Sequence, residues 1–338
     1  MTLDKKDEEP EQKALMRQVP FGSTGQEVSE ICLGTMMFGK RCGESEADRI
    51  VSSAVDEGVT FLDTAAMYCD GLTEEILGRI LKERRKKLFL ATKVHEGIDA
   101  HTITASLERS LERLQTDFVD LYLIHWPRKG MNPVEIMQTL HEIVQAGKAR
   151  FVGCCNYPAW LLAHSNAIAR HNSWSPLSCN QIPYNIIERG VEVEVLPQAV
   201  ADDIAITTYR ALVMGLLAGK YRPGQPLPED SRGTTDDRIS EWLYKYSNSI
   251  SWFLDFASDL HISPQALSLA WVRHSPAVTC PILGVSSLEQ WKAGIKAFKF
   301  DLTEDQYAAV TEKFNTDIQE ESGGDYKMLR RELQLLSS

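Results

Sequence analysis

No uninterrupted apolar run of about 18 residues occurs in this chain, so nothing has the length of a membrane-spanning helix. The first residues, MTLDKKDEEPEQKA, are charged and contain no apolar stretch, which excludes a secretory signal of the usual design. The seven cysteines (Cys32, Cys42, Cys69, Cys154, Cys155, Cys179 and Cys280) are odd in number and scattered, and none forms a CxxC pair. Neither a zinc ribbon nor a disulfide framework is indicated. Together these absences predict a cytoplasmic protein with reduced thiols and no membrane partner. Positive charge is also short: 36 Lys and Arg stand against 47 Asp and Glu, a net charge of -11. That balance argues against nucleic acid or an anionic membrane surface as a partner.

What is present is a rhythm. Residues 1–15 read as a disordered segment, and a short hairpin around Gly22 to Gly25 leads into a strand at Ile31 to Leu33. Buried-looking strand patterns then recur at TFLDTA, LFLATKV, DLYLIH, ARFVGCC, LSCNQI, AITTY and TCPILG, most of them about 26 to 32 residues apart. That spacing is the length of one βα unit. Between the strands lie apolar stripes of helical period: Ile50, Val51, Ala54 and Val55; Ile76, Leu77, Ile80 and Leu81; Ile103, Leu107, Leu111 and Leu114. Ser263-Pro264 reads as a helix start with a cap and a proline at its first position, and Thr303 with Gln306 as a capping box.

Eight strands alternating with helices predict an α/β fold of the (β/α)8 TIM-barrel type, with an N-terminal β-hairpin. A doubly wound sheet is disfavoured, because no GxGxxG follows the first strand. One gap breaks the rhythm: about 70 residues separate AITTYR from TCPILG, a long insertion before the eighth strand. Insertions at strand C-termini in barrels usually cover the active site. The expected division is a barrel over residues 16–315 and a polar tail over 316–338.

The C-terminal ends of barrel strands share one mouth, and four polar residues converge there. Asp63 ends the second strand, Tyr68 lies in the loop after it, Lys93 ends the third strand, and His125 ends the fourth. Taken singly, each has a plainer reading as a turn former, a packing ring, a solvated strand end or a structural histidine. The other histidines, His95 among them, take that plainer reading. As a set, the four suggest chemistry. A lysine ammonium beside the phenol is expected to lower its pKa from about 10, and a carboxylate keeps the lysine charged. A neutral imidazole can orient a carbonyl. Such an assembly suits proton donation to a developing alkoxide, provided that something supplies hydride.

At this point the sequence resembles the aldo-keto reductase family, from FGSTGQEVSEICLGT to about Asn315, with Asp63, Tyr68, Lys93 and His125 matching the family's catalytic tetrad. The resemblance implies NADP(H) lying extended across the barrel mouth, with NAD(H) possible, and a small-molecule carbonyl substrate. It places Gly34, Thr35 and Asp63 near the nicotinamide, Asn156 and Gln181 at the carboxamide, and Tyr209 stacked on the ring. Leu212, Gly215 and Lys220 would lie along the pyrophosphate with Arg232 near a phosphate, and Gly284, Ser286 and Gln290 at the adenosine 2′-phosphate. Ser287 with Gln290 also reads as a plain capping box. Trp126, Tyr157 and the 211–240 stretch are expected to shape the substrate pocket.

The sequence departs from the family pattern at several positions. Cys155 stands for the usual serine beside Asn156, Cys69 for the glycine that often follows the tyrosine, and Arg210 for a serine after Tyr209. The SSLEQ loop lacks a basic residue, and Ala293 and Gly294 stand where some members have polar adenosine contacts. Two rivals remain at this level. One is an NADP(H)-binding regulatory module with slow turnover, like potassium-channel β subunits, although His125 stands where that branch often has asparagine. The other is a Schiff-base barrel lyase, which the residues around Lys93 disfavour. The substrate and the oligomeric state are not legible.

Overall fold

The computed structural model describes residues 16–96, 99–229 and 231–319. The expected N-terminal segment, residues 1–15, lies outside them, as does most of the expected tail. The chain opens with an antiparallel hairpin of β1 (Gln18–Pro20) and β2 (Glu27–Ser29). Eight parallel strands follow: β3 (Cys32–Gly34), β4 (Phe61–Asp63), β5 (Phe89–Val94), β6 (Val119–Ile124), β7 (Ala149–Cys155), β8 (Leu177–Pro183), β9 (Ala205–Tyr209) and β10 (Cys280–Gly284). They close in chain order, β10 pairing with both β3 and β9. The predicted (β/α)8 barrel is the observed fold.

Helices cover the barrel: α1 (Glu44–Asp56), α2 (Leu72–Leu81), α3 (Ala100–Leu114), α4 (Pro133–Gln145), α5 (Ala159–Asn172), α6 (Val195–Ala201), α7 (Asp237–Lys245), α8 (Ser247–Asp259), α9 (Pro264–His274), α10 (Leu288–Phe298) and α11 (Glu304–Gln319). Their starts obey local chemistry. Ser263 Oγ accepts from the Ala266 N–H at 3.1 Å, ahead of Pro264 at the first helical position. Thr303 and Gln306 cap each other reciprocally, Gln306 N–H to Thr303 Oγ1 at 3.2 Å and Thr303 N–H to Gln306 Oε1 at 2.9 Å. Among the described residues no helix is long and apolar enough to cross a membrane.

Strand alternation divides the core in two. Leu62, Leu90 and Tyr122 point outward to the helices, while Phe61, Phe89, Leu121 and Leu123 fill the barrel. The hairpin plugs the N-terminal end. Phe21 enters the inner cluster, its ring 5.8 Å from Phe61 and 5.0 Å from Phe89, and the Ser23 N–H bonds Asp203 O at 2.9 Å. All seven cysteines are free. Cys32, Cys155, Cys179 and Cys280 lie in the inner cluster, Cys42 and Cys154 are buried against the helices, and Cys69 is half-buried.

The long insertion becomes a turn at Val213–Ala218, a second at Arg232–Thr234, and the two extra helices α7 and α8; α9 then resumes the barrel layer. α11 continues to Gln319, so the first residues of the expected tail extend a helix.

Candidate active site

Parity puts the first three groups in place. With Phe61 inside the barrel, Asp63 also faces inward; Phe89 and Ala91 do the same for Lys93, and Leu121 and Leu123 for His125 just beyond β6. Tyr68 needs a turn. Cys69, Asp70 and Gly71 follow it with φ of 49°, 53° and 95°, three left-handed residues in succession. At Cys69 and Asp70 this costs on the order of 1–2 kcal/mol each. Cys69 thus occupies a conformation that suits glycine. A Cβ on Gly71 would come within 2.9 Å of Arg113 Cδ. Arg113 donates to the buried Glu74 at 2.8 Å, and Glu74 accepts the Thr92 hydroxyl at 2.6 Å. A buried network therefore joins the Tyr68 turn to the strand that carries Lys93.

The tetrad geometry is tight. Lys93 is 0% exposed and Asp63 2%. Lys93 Nζ donates to Asp63 Oδ1 and to Thr64 O, both at 2.7 Å, and lies 3.3 Å from the Tyr68 hydroxyl. Burial disfavours the ammonium, but the groups around it, the Asp63 carboxylate first among them, together outweigh that effect and the Lys93 pKa is raised. For Tyr68 the sequence expectation is reversed. Burial pushes its pKa up to about 12, and the opposing pull of Lys93 is the smaller effect. His125 goes the other way: burial, then the charges of Lys93, His95 and Arg128, lower it to about 2. Its imidazole is neutral, and its buried Nδ1 has no hydrogen-bond partner. The Tyr68 and His125 rings meet edge to face at 6.2 Å, and Trp126, 42% exposed, stacks on His125 at 6.5 Å.

Around the mouth, Asn156 sits at φ 61°. Its Oδ1 accepts from the Tyr209 hydroxyl at 2.7 Å, and its Nδ2 donates to His125 O at 3.2 Å. Gln181 donates from Nε2 to Asp63 Oδ2 at 2.8 Å. Thr35 is buried, with its hydroxyl on Asp63 O at 2.9 Å, and Gly34 pairs in register with Asp63. Arg210 lies by the Tyr209 ring, 5.4 Å from its centroid, and bonds Glu188 at 2.9 Å. Leu212 is half-buried, Gly215 has φ 95°, and Lys220 is exposed with its ammonium over the Tyr221 ring. Arg232 is within 3.4 Å of Asp236, which Arg238 also grips.

One expectation needs correction. Tyr157 is 2% exposed and belongs to the outer core, so it does not line a substrate pocket. Continued alternation from the inward Cys155 would have pointed it into the mouth, but left-handed Asn156 breaks the strand between them. At the β10–α10 junction, the groups expected to face a phosphate are bonded to each other. Gln290 Oε1 accepts from Ser286 N–H at 2.9 Å and Oγ at 3.1 Å, and Ser287 Oγ accepts from Gln290 N–H at 3.2 Å. Ser287 caps α10, while the Gln290 side chain reaches back to Ser286, one residue further than in a plain capping box. Gly284, beside it, is exposed.

Sequence reasoning missed three residues. His95 packs edge to face on His125 at 5.5 Å, with its Nδ1 also buried and unpartnered; its spacing of two from Lys93 was the available signal. Glu188 and Glu46 carried none, because their partners Arg210 and Leu288 are distant in sequence. Among the described residues no group of three or more His, Cys, Asp or Glu could hold a metal ion.

A family description of aldo/keto reductases matches residues 30–315. An uncharacterized oxidoreductase YrpG of Bacillus subtilis is 34% identical over 307 residues, covering 85% of this chain and 92% of the relative. The protein tas of Escherichia coli is 29% identical over 333 residues, covering 87% and 95%. Aflatoxin B1 aldehyde reductase member 2 of Rattus norvegicus is 31% identical over 312 residues, covering 84% and 83%. With the match spanning all eight barrel strands and the four convergent side chains, this chain belongs to the aldo/keto reductase family of oxidoreductases.

Proposed function

We propose that the protein interconverts an aldehyde or ketone with the corresponding alcohol, using a nicotinamide dinucleotide and Tyr68 as the proton donor or acceptor. The observation that carries this reading is the buried Lys93 ammonium, bonded to Asp63 and 3.3 Å from the Tyr68 hydroxyl. When bound, the dinucleotide supplies or accepts hydride at its nicotinamide ring.

The residues present suit such a group. Tyr209 offers a half-buried ring face at the mouth, and the remaining oxygen of Gln181 and the Asn156 amide suit a carboxamide. Leu212, Gly215, Lys220 and Arg232 follow along the insertion as the diphosphate side, with Gly284, Ser286 and Gln290 at the far end. Gly34 and Thr35 act from beneath, holding Asp63.

The proton chemistry follows from the electrostatics. With its pKa near 12, Tyr68 keeps its proton across the neutral range and is a donor in the reducing direction. Neutral His125 presents an N–H to the carbonyl oxygen without adding charge. As negative charge grows on that oxygen, Tyr68 transfers its proton, and the Lys93 ammonium stabilises the tyrosinate left behind. Asp63 supports the charge on Lys93 against the burial that opposes it. Trp126, stacked on His125, forms the lip over which a small carbonyl substrate enters.

The test is Tyr68→Phe. Loss of general acid catalysis should lower turnover by about 10²–10⁴-fold, while dinucleotide binding, followed by protein fluorescence, is retained. Undiminished turnover would end the assignment.

A further inference from the structure

The start of α10 contains an acid. The Leu288 N–H, first in the helix, donates to Glu46 Oε1 at 2.7 Å, across 242 positions of sequence. Glu46 belongs to the first turn of α1, is 28% exposed, and is held on its other oxygen by Arg49 at 2.7 Å. A carboxylate therefore occupies the positive end of this helix, where the partial charge of the free amides favours an anion. Glu289 adds a second acid in the same turn. On the α1 side, Arg49 pairs with Glu46, Arg79 with Glu44 and Arg84 with Asp48, while Lys292, one turn into α10, is exposed.

We propose that Glu46 sets the choice of dinucleotide, favouring NAD(H) and opposing NADP(H). The inference rests on the reading above that the adenosine end lies at the β10–α10 junction. A 2′-phosphate there would meet the Glu46 carboxylate at close range, and like charges repel strongly in a partly buried setting. The unphosphorylated ribose instead brings a 2′-hydroxyl, a donor for an acceptor-only carboxylate. Dinucleotide-binding sheets of the Rossmann type use the same division, with an acid for the 2′-hydroxyl and an arginine for the 2′-phosphate. Here the acid comes from a neighbouring helix of a barrel. On this proposal, NAD(H) takes the place of the NADP(H) that the family resemblance implies.

Fluorescence titration with NADH and with NADPH decides the matter. The wild type should bind NADH at least about tenfold more tightly, and Glu46→Gln should shift the ratio about tenfold toward NADPH, with Glu46→Asp close to wild type. Raising ionic strength should narrow the wild-type gap, since salt screens the repulsion. Arg49→Gln separates the rival arrangement, in which Arg49 swings to the phosphate: a selective loss of NADPH affinity there overturns the proposal. So does tighter binding of NADPH by the wild type, or an unchanged ratio in Glu46→Gln. Binding of neither nucleotide overturns the reductase reading as well; binding of both with an unmoved ratio overturns only the role of Glu46.

Discussion

Gln181 and Asp63 are joined across the full width of the barrel. β8 stands opposite β4 in the closed strand order, yet Gln181 Nε2 reaches Asp63 Oδ2 at 2.8 Å, on the oxygen that Lys93 does not use. Each oxygen of this buried carboxylate thus has its own donor. Gln181→Leu removes one and leaves Oδ2 unpaired, at a cost of about 1–3 kcal/mol. Thermal unfolding should show the loss, and kcat should fall about tenfold or more as Asp63 shifts. A variant unchanged in both would show that the bond is incidental.

Lys93→Met should be worse. Removing one partner of a buried ion pair leaves a charge uncompensated, typically at about 3–5 kcal/mol. Combining it with Asp63→Asn should restore much of the stability but none of the activity. Denaturant midpoints measured alongside turnover separate the two effects.

The pH behaviour follows from His125 and Tyr68. His125 titrates at about 2 in the folded chain against about 6.5 when unfolded, so between those values the unfolded state binds the extra proton. Stability should fall as pH drops below about 6.5, and His125→Phe should flatten that slope. Tyr68, raised to about 12, favours the folded state fully below pH 10, and this contribution is lost as pH climbs from 10 toward 12. In kinetics, kcat/KM for reduction should cross pH 6.5 without a break. A clear inflection there would contradict a neutral His125.

Gly78 tests the packing behind the site. A Cβ at this position of α2 would fall 2.2 Å from Arg113 O at the end of α3. Gly78→Ala should cost about 1–3 kcal/mol through overpacking, read as a lower unfolding midpoint. Since Arg113 also supports the Tyr68 turn through Gly71, turnover should decline with it.

The barrel was legible because its signals are local: apolar strands at regular spacing and helices with caps at Ser263 and Thr303. Asp63, Lys93 and His125 were legible for the same reason, since inward parity carries each to the mouth. Tyr157 was misread because one left-handed residue, Asn156, resets that parity, and φ is not written in residue type. The Tyr68 pKa was misjudged because a sequence names the neighbouring charge but not the depth of burial. Glu46 and Leu288 meet only after the barrel closes, so their contact is a product of topology and not of either segment.

Burial of the thiols has a practical sequel. Six of the seven sulfurs are inaccessible, and only Cys69 is half-buried. Toward a maleimide or a chromogenic disulfide, the folded molecule should therefore behave as if it possessed a single reactive sulfur. That sulfur belongs to the residue next to Tyr68, so a dye attached there would sense occupancy of the mouth directly. Denaturant would release the remaining six. The chain thus carries a native labelling handle whose stoichiometry, one or seven, counts folded against unfolded molecules.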